Sequence, residues 1–376
     1  MNRIIASQPY RDIEELFIRD PKNTIERLVS RNALKGNSLS ALRKILLENI
    51  SSPEMAEWLW LVLSPRILSV MITQGRCNLA CRMCGGSKGV LKHLESVCFR
   101  QILRHIPTAD LVTLVAGNSE PLLSPVMPEI LRCAKDEGIN LDIVTNGQLL
   151  SAELIRAMIE TGRPTGLSIS IDAAKSETYR TIRGAPLDKL LRNLECLSEK
   201  KRAANSDFPK VSLLMVGMAD NIEELPELVR LAGRINAYRV HVDHLKGDFS
   251  PGDFTANPRW RHFVSEAFEA AATSNVSLQM PADGVAAPNN GGSPRLNYCS
   301  WMESAQIGMT GDLSPCCHNP RVLGNIFEKH MSQQTDYLRY RMKNMDGKVE
   351  PFCLAAKNCA YVEEMRAFRT APGTFV

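Results

Sequence analysis

From residue 67 to about 280, short apolar runs rich in β-branched residues alternate with stretches of helical period. The runs are 67–73, 111–116, 141–145, 166–171, 211–216 and 238–242. Between them, Ser151 stands where a helix N-cap belongs, before AELIRAMIE, and Gly162 where the chain would leave that helix. Asn221, with Glu224 three residues on, predicts a capping box before IEELPELVRLAG. Leu187, Leu190, Leu191, Leu194 and Leu197 form one apolar helical face. The runs are continuous rather than alternating, which predicts parallel strands buried on both faces under a layer of helices. Six strand–helix units are counted where a closed barrel has eight. The expected fold class is α/β, a partial (β/α)6 TIM-type barrel with an open side.

Both flanks differ. Residues 1–66 carry Leu28, Leu34, Leu39, Leu42, Leu46 and Leu47 near helical spacing and no alternating strand pattern, so a helical N-terminal extension is expected. Residues 281–297 are rich in Pro, Gly and Asn and read as a linker. Residues 298–376 form a small tail with five cysteines and little apolar periodicity, the kind of segment that needs a metal staple.

The chain has 376 residues, 44% apolar and 23% charged, which excludes wholesale disorder, collagen and coiled coil. A net charge of +4 with interspersed signs points away from a nucleic-acid partner. The most apolar stretch, 58–73, is cut by Pro65 and Arg66 and falls short of the roughly 18 uninterrupted apolar residues of a membrane span. The N-terminus shows no signal-peptide core, so a cytoplasmic location without membrane attachment is expected.

Eleven cysteines then matter, because thiols clustered in a reducing compartment read as metal ligands or catalytic groups. Cys98, Cys133 and Cys196 are isolated and suit small buried hydrophobes. Cys77, Cys81 and Cys84 share one loop just after the first strand. Three thiolates can hold three corners of an iron–sulfur cube and leave the fourth iron open, whereas structural zinc wants four protein ligands.

Here the sequence resembles the radical S-adenosylmethionine (SAM) enzymes, whose signature is C-x3-C-x2-C after the first strand of a partial (β/α)6 barrel. Cys77, Cys81 and Cys84 match it. The residue before the third cysteine, often aromatic in the family, is Met83. Gly117-Asn118-Ser119-Glu120 looks like the family's glycine–glutamate motif, with Ser119 where glycine is usual, and the resemblance implies contact with the SAM amino group. Asn146, in Thr145-Asn146-Gly147, matches a turn near the SAM ribose. By the same resemblance Ser170 and Asp172 point at SAM or substrate from the barrel mouth, and Arg183 meets the SAM carboxylate. His241 and Asp243 share one face of the sixth strand and His244 takes the other, with His241 a candidate for substrate contact.

The tail resembles a shortened SPASM or twitch extension of these enzymes. Cys299, Gly311 and Cys316 fit C-x(9–15)-G-x4-C, with a hairpin turn expected at Thr310-Gly311-Asp312, and Cys353 and Cys359 fit the x5 spacing. The resemblance implies one auxiliary [4Fe–4S] cluster on Cys299, Cys316, Cys353 and Cys359, beside the SAM-binding cluster. Cys317 is then a neighbour on the other side of the strand, or a free catalytic thiol. The implied chemistry is one-electron cleavage of SAM to a 5′-deoxyadenosyl radical, hydrogen abstraction, and oxidation of a small polar metabolite such as a sugar or aminocyclitol. The alternative is cross-linking or epimerisation of a ribosomally made precursor peptide. A flavodoxin- or ferredoxin-type protein is the expected electron donor.

Overall fold

The computed structural model describes residues 64–84, 87–106, 109–245, 249–281 and 304–341, apart from 317, 318, 320, 335 and 339. The N-terminal extension, the linker, and Cys299, Cys317, Cys353 and Cys359 lie outside the described residues. The chain divides into two compact units: Leu68–Leu103 with Asp110–Ala287, and Met1–Ile67 with Arg104–Ala109 and Pro288–Val376.

The first unit is an open α/β sheet. Its strands are β1 (Ile67–Arg76), β2 (Lys88–His93), β3 (Leu111–Gly117), β4 (Asn140–Thr145), β5 (Gly166–Ser170), β6 (Lys210–Gly217), β7 (Arg239–His244) and β8 (Ser277–Gln279). They run in the order β1-β3-β4-β5-β6-β7-β8, parallel from β3 to β8, with β2 folded back antiparallel on β1. The helices are α1 (Ser96–His105), α2 (Met127–Asp136), α3 (Ala152–Thr161), α4 (Ser176–Arg183), α5 (Leu187–Ala203), α6 (Leu225–Arg234) and α7 (Trp260–Ser274). Six strand–helix units are therefore present and the barrel does not close. Sequence reading missed the short β8 and the β2 hairpin, each too brief or too polar to carry a period.

One expectation is corrected. The strands alternate: Leu68, Val70, Ile72, Val112, Leu114, Leu141, Ile143, Val240 and Val242 are buried. On the opposite face Ser69, Met71, Thr113, Asp142, Val144, Leu214 and His241 are half-buried. A sheet that stays open leaves its inner face only partly covered, so that face tolerates polar residues.

Ser151 caps α3 through a 3.2 Å bond from Leu154 N, and Gly162 ends it with φ 63°, as expected. In α5, Leu187, Leu190, Leu194 and Leu197 are buried and Leu191 is half-buried. The capping box at Asn221 does not form. Asn221 instead accepts from Met218 N at 2.7 Å and donates to the carbonyls of Asp172 and Val216 at 2.9 Å each. Glu224 accepts from the amides of Ala174 and Lys175, both at 2.9 Å. Buried backbone groups of the β5 and β6 loops need partners, and that demand outweighs a local cap.

The second unit holds β9 (Ser304–Ile307), β10 (Asp312–Ser314) and β11 (Gly324–Asn325), all antiparallel. The β9–β10 turn falls at Gly311, φ 86°, where a Cβ would strike Phe327 and Asn325. Cys316 follows two residues after β10 and bridges to Asn319.

Candidate active site at the carboxyl ends of the strands

Ligands of open parallel sheets sit at the carboxyl ends of the strands, and the motif residues gather there. The cysteine loop leaves β1 through Gly75, whose φ of 87° only glycine adopts freely. Cys77 N donates to Ser87 O at 2.9 Å and Cys84 N to Cys81 O at 3.0 Å, which folds the loop back on itself. Cys81 is buried, Cys77 half-buried and Cys84 exposed. Met83 is half-buried between the last two cysteines.

The loop is anchored from the far side of the sheet. Arg82 N donates to Ile182 O at 2.8 Å, and the Arg82 guanidinium clasps Asp220 with two bonds of 2.9 and 3.0 Å. Arg183, the last residue of α4, places Nη1 3.6 Å from Cys81 Sγ and Nη2 2.5 Å from Asp172 Oδ2. Asp172 is fully buried and the Arg183 side chain 12% exposed. Asp172 also accepts from Val216 N at 2.8 Å, so the carboxylate and guanidinium hold each other in fixed orientation. Burial pushes the Asp172 carboxyl up, and the Arg183 charge pulls it back. Burial likewise raises the Cys81 and Cys77 thiols, with Arg183 acting against it at Cys81.

Glu120, 2% exposed, ties three strand ends together. It accepts from Leu122 N at 3.1 Å, from Asn146 N at 2.9 Å and from the Thr145 hydroxyl. Burial raises its carboxyl against those hydrogen bonds. Asn146 Nδ2 donates onward to Asn78 Oδ1, inside the cysteine loop, at 2.9 Å. Gly117 packs where a Cβ would lie 2.9 Å from Met71 Sδ, and Asn118 takes a left-handed φ of 49°. The Ser119 hydroxyl donates to the Arg76 carbonyl, so the serine in the glycine position links β3 to β1. Ser170 ends β5 half-buried. His241 Nε2 lies 3.2 Å from Asp243 Oδ1, and His244 Nδ1 lies 2.9 Å from Asp253 Oδ2 with Phe254 stacked on its ring. Burial works upward on Asp253, but bonds from Thr255, His244 and Leu245 hold it below the usual carboxylate range.

Sequence reasoning missed Asn78, Thr145, Arg82 with Asp220, and Glu224. Asn78 was visible as the polar residue directly after the first cysteine; the others carry no local signal.

The donor set is chemically specific. Three thiols on one turn lie near enough for charge on one to disfavour charge on the others. Among the described residues no three His, Cys, Asp or Glu side chains gather as a site for one metal ion. All-thiolate ligation belongs to iron–sulfur clusters, and a guanidinium beside one ligand offsets their accumulated charge. Arg183 Nε, buried there, has no acceptor among the described residues, which leaves one donor for an anionic group. The residues present therefore fit a cluster with a bound anion-bearing molecule.

Comparison with known proteins agrees. The family model of the Radical SAM superfamily matches residues 71–232. The chain is 32% identical over 268 residues to GTP 3′,8-cyclase of Chlorobaculum tepidum, covering 65% of this chain and 76% of that protein. It is 26% identical over 299 residues to the AdoMet-dependent heme synthase of Methanosarcina barkeri, covering 71% and 80% respectively. Its fold is similar to the crystal structure of Streptococcus suis SuiB bound to S-adenosylmethionine, with a TM-score of 0.59 and 16% identity over 94% of this chain and 86% of that one.

Proposed function

The chain belongs to the radical SAM superfamily, whose members bind a [4Fe–4S] cluster and SAM, and from that membership we propose that it is an oxidoreductase acting on a small polar metabolite. The observation that carries the site assignment is the cysteine loop held at the strand ends with Arg183 against Cys81. Bound there, a reduced cluster would supply one electron to SAM, giving methionine and a 5′-deoxyadenosyl radical that takes a hydrogen atom from the substrate.

The protein's own part is placement and exclusion of water. Cys77, Cys81 and Cys84 hold the cluster and leave one iron for SAM. Arg183, fixed by Asp172, offers its remaining N–H to a carboxylate, a group the guanidinium suits. Glu120 and Asn146 hold the edges of β3 and β4, with Gly117, Asn118 and Ser119 shaping the adjoining turn. Met83 offers an adaptable apolar surface beside the loop. The half-buried polar face that carries Ser170 and His241 supports a polar substrate, and one relative is named for GTP, a small polar molecule. In this reading an auxiliary cluster on Cys299, Cys316, Cys353 and Cys359 takes the second electron, which makes the net reaction an oxidation.

Anaerobic reconstitution tests the assignment. The expected content is about eight irons and about eight sulfides per chain, and replacing Cys77, Cys81 and Cys84 by alanine leaves about half and abolishes SAM cleavage. Stoichiometric zinc without a visible charge-transfer band refutes it. Cys316→Ala should lose the auxiliary cluster and turnover while 5′-deoxyadenosine still forms, and Cys317→Ala should cost little. A Cys317 variant that keeps both clusters and forms deoxyadenosine, yet no product, moves peptide epimerisation ahead of oxidation.

A further inference from the structure

The hairpin that follows the cysteine loop takes no part in the contacts described above. β2 pairs with β1 alone among the described strands, with Thr73 opposite His93 and Arg76 opposite Lys88, and its other edge is open. The pairing is kinked by a bulge between Gln74 and Arg76, at the point where a Gly75 Cβ would collide with the Val90 carbonyl. Bulges of this kind re-aim an edge. Strand alternation puts Lys88, Val90 and Lys92 on one face. All three are exposed, Val90 at 81%, and Arg76 at the strand's end is exposed too. Among the described residues no carboxylate pairs with Lys88, Lys92 or Arg76. The neighbouring cation Arg82 is already engaged by Asp220, and Glu95 faces His93 at 3.1 Å. The result is an apolar centre rimmed by three unneutralised cations.

This face adjoins the cysteine loop directly. Cys77 N donates to the carbonyl of Ser87, the residue before β2, and Cys84 is exposed. The other flank of the loop is occupied by the ties to Ile182, Asp220 and Arg183.

We propose that the Lys88–Val90–Lys92 face, with Arg76 at its rim, is the docking surface for a small acidic one-electron carrier protein of the flavodoxin or ferredoxin kind. The inference rests on the reading that this loop holds a cluster which must be reduced before SAM is cleaved. In the step the reduced carrier loses one electron and the oxidised cluster gains it; no bond forms or breaks. Charge complementarity selects the partner, since unpaired cations around an apolar centre steer an acidic surface to the cluster. The small size of the patch suits electron-transfer encounters, whose interfaces lie below about 1,200 Å². A polyanion such as nucleic acid would need a longer cationic track than one six-residue strand. Lysines also guard exposed sheet edges against strand pairing, and charge reversal separates the two roles because glutamate guards an edge as well.

The test uses reconstituted holoenzyme and follows bleaching of the cluster's visible band in a stopped-flow instrument. The reductant is fully reduced flavodoxin in one series and dithionite in the other. With flavodoxin, the wild-type rate should fall as salt rises. The Lys88→Glu/Lys92→Glu variant should be reduced about tenfold or more slowly at low ionic strength, with a flattened salt dependence. Its reduction by dithionite should be unchanged. A variant that flavodoxin reduces at the wild-type rate and salt dependence overturns the docking surface while leaving the cluster assignment standing. A wild-type chain that assembles no reducible cluster overturns the assignment and takes the docking surface with it. Should the double variant lose its cluster, Lys92→Glu alone, near the far end of β2 from Cys77, carries the same comparison.

Discussion

Replacing Arg183 by methionine removes one member of a buried ion pair and keeps most of the side-chain volume. Asp172 is fully buried, its partner guanidinium lies 2.5 Å away, and its remaining protein contact is the 2.8 Å bond from Val216 N. The variant therefore leaves a carboxylate in the interior without a counter-charge. Breaking a buried pair from one side costs about 3–5 kcal/mol, most of it the desolvation of the orphaned ion. Asp172→Asn should cost a comparable amount from the other side, and the double variant should recover much of the loss, because no buried charge remains. Urea unfolding of the cluster-free protein, followed by tryptophan fluorescence and circular dichroism, gives the three differences and their coupling. The pH dependence supplies a second check. Burial already raises the Asp172 carboxyl, with Arg183 opposing the rise, so removing the arginine raises it further. A folded-state pKa above the unfolded one means that the native state binds the proton more tightly, and stability then increases as pH falls. The Arg183→Met deficit should be fully developed above the raised pKa and shrink as pH drops through it. A loss below about 1 kcal/mol, independent of pH and additive with Asp172→Asn, would refute the buried-pair argument.

Two further outcomes follow from the site's scaffold. Gly75→Ala should destabilise by about 1–2 kcal/mol or more, since a left-handed φ is imposed on a Cβ that meets the Val90 carbonyl; the same variant should lower iron incorporation, measured per chain after reconstitution. Glu120→Gln should weaken SAM binding in equilibrium dialysis and cost about 1–3 kcal/mol, because an amide NH2 then faces donors that a carboxylate accepted from Leu122, Asn146 and Thr145. A variant that matches the wild type in both would remove Glu120 from the strand-end clamp.

The sequence exposed what is local. The helix face of Leu187, Leu190, Leu194 and Leu197 and the Ser151 cap follow from spacing within one turn of chain, and both are present. The cysteine loop was legible because its three thiols sit within eight residues. What escaped was long-range. Nothing near Arg82 announces Asp220, 138 residues away. Nothing near Glu224 announces that it will hold the amides of Ala174 and Lys175, 50 and 49 residues earlier. The S/T/N-x-x-E pattern there misled because two competing partners exist for the same side chains, and the buried amides gain more from the contact than a solvent-accessible helix end does.

The strand pattern shows the same asymmetry from the other side. Runs such as 211–216 look apolar throughout, so periodicity read them as buried on both faces. The face turned from the helices is covered only if the sheet closes or fills, and six strand–helix units do neither. Ser168, Ser212 and Asp142 make the difference concrete. Ser168 donates to Asp142 Oδ2 at 3.1 Å and shares a 3.1 Å bond with Ser212, a polar ladder across β4, β5 and β6 that a filled hydrophobic barrel would not hold. Burial raises the Asp142 carboxyl, while Ser168 and the Arg239 charge counter it. These groups line the inner face below the strand ends at which Cys81, Glu120, Asn146 and Arg183 gather. The openness that defeated the periodicity argument is thus the property that lets one end of the sheet receive polar molecules.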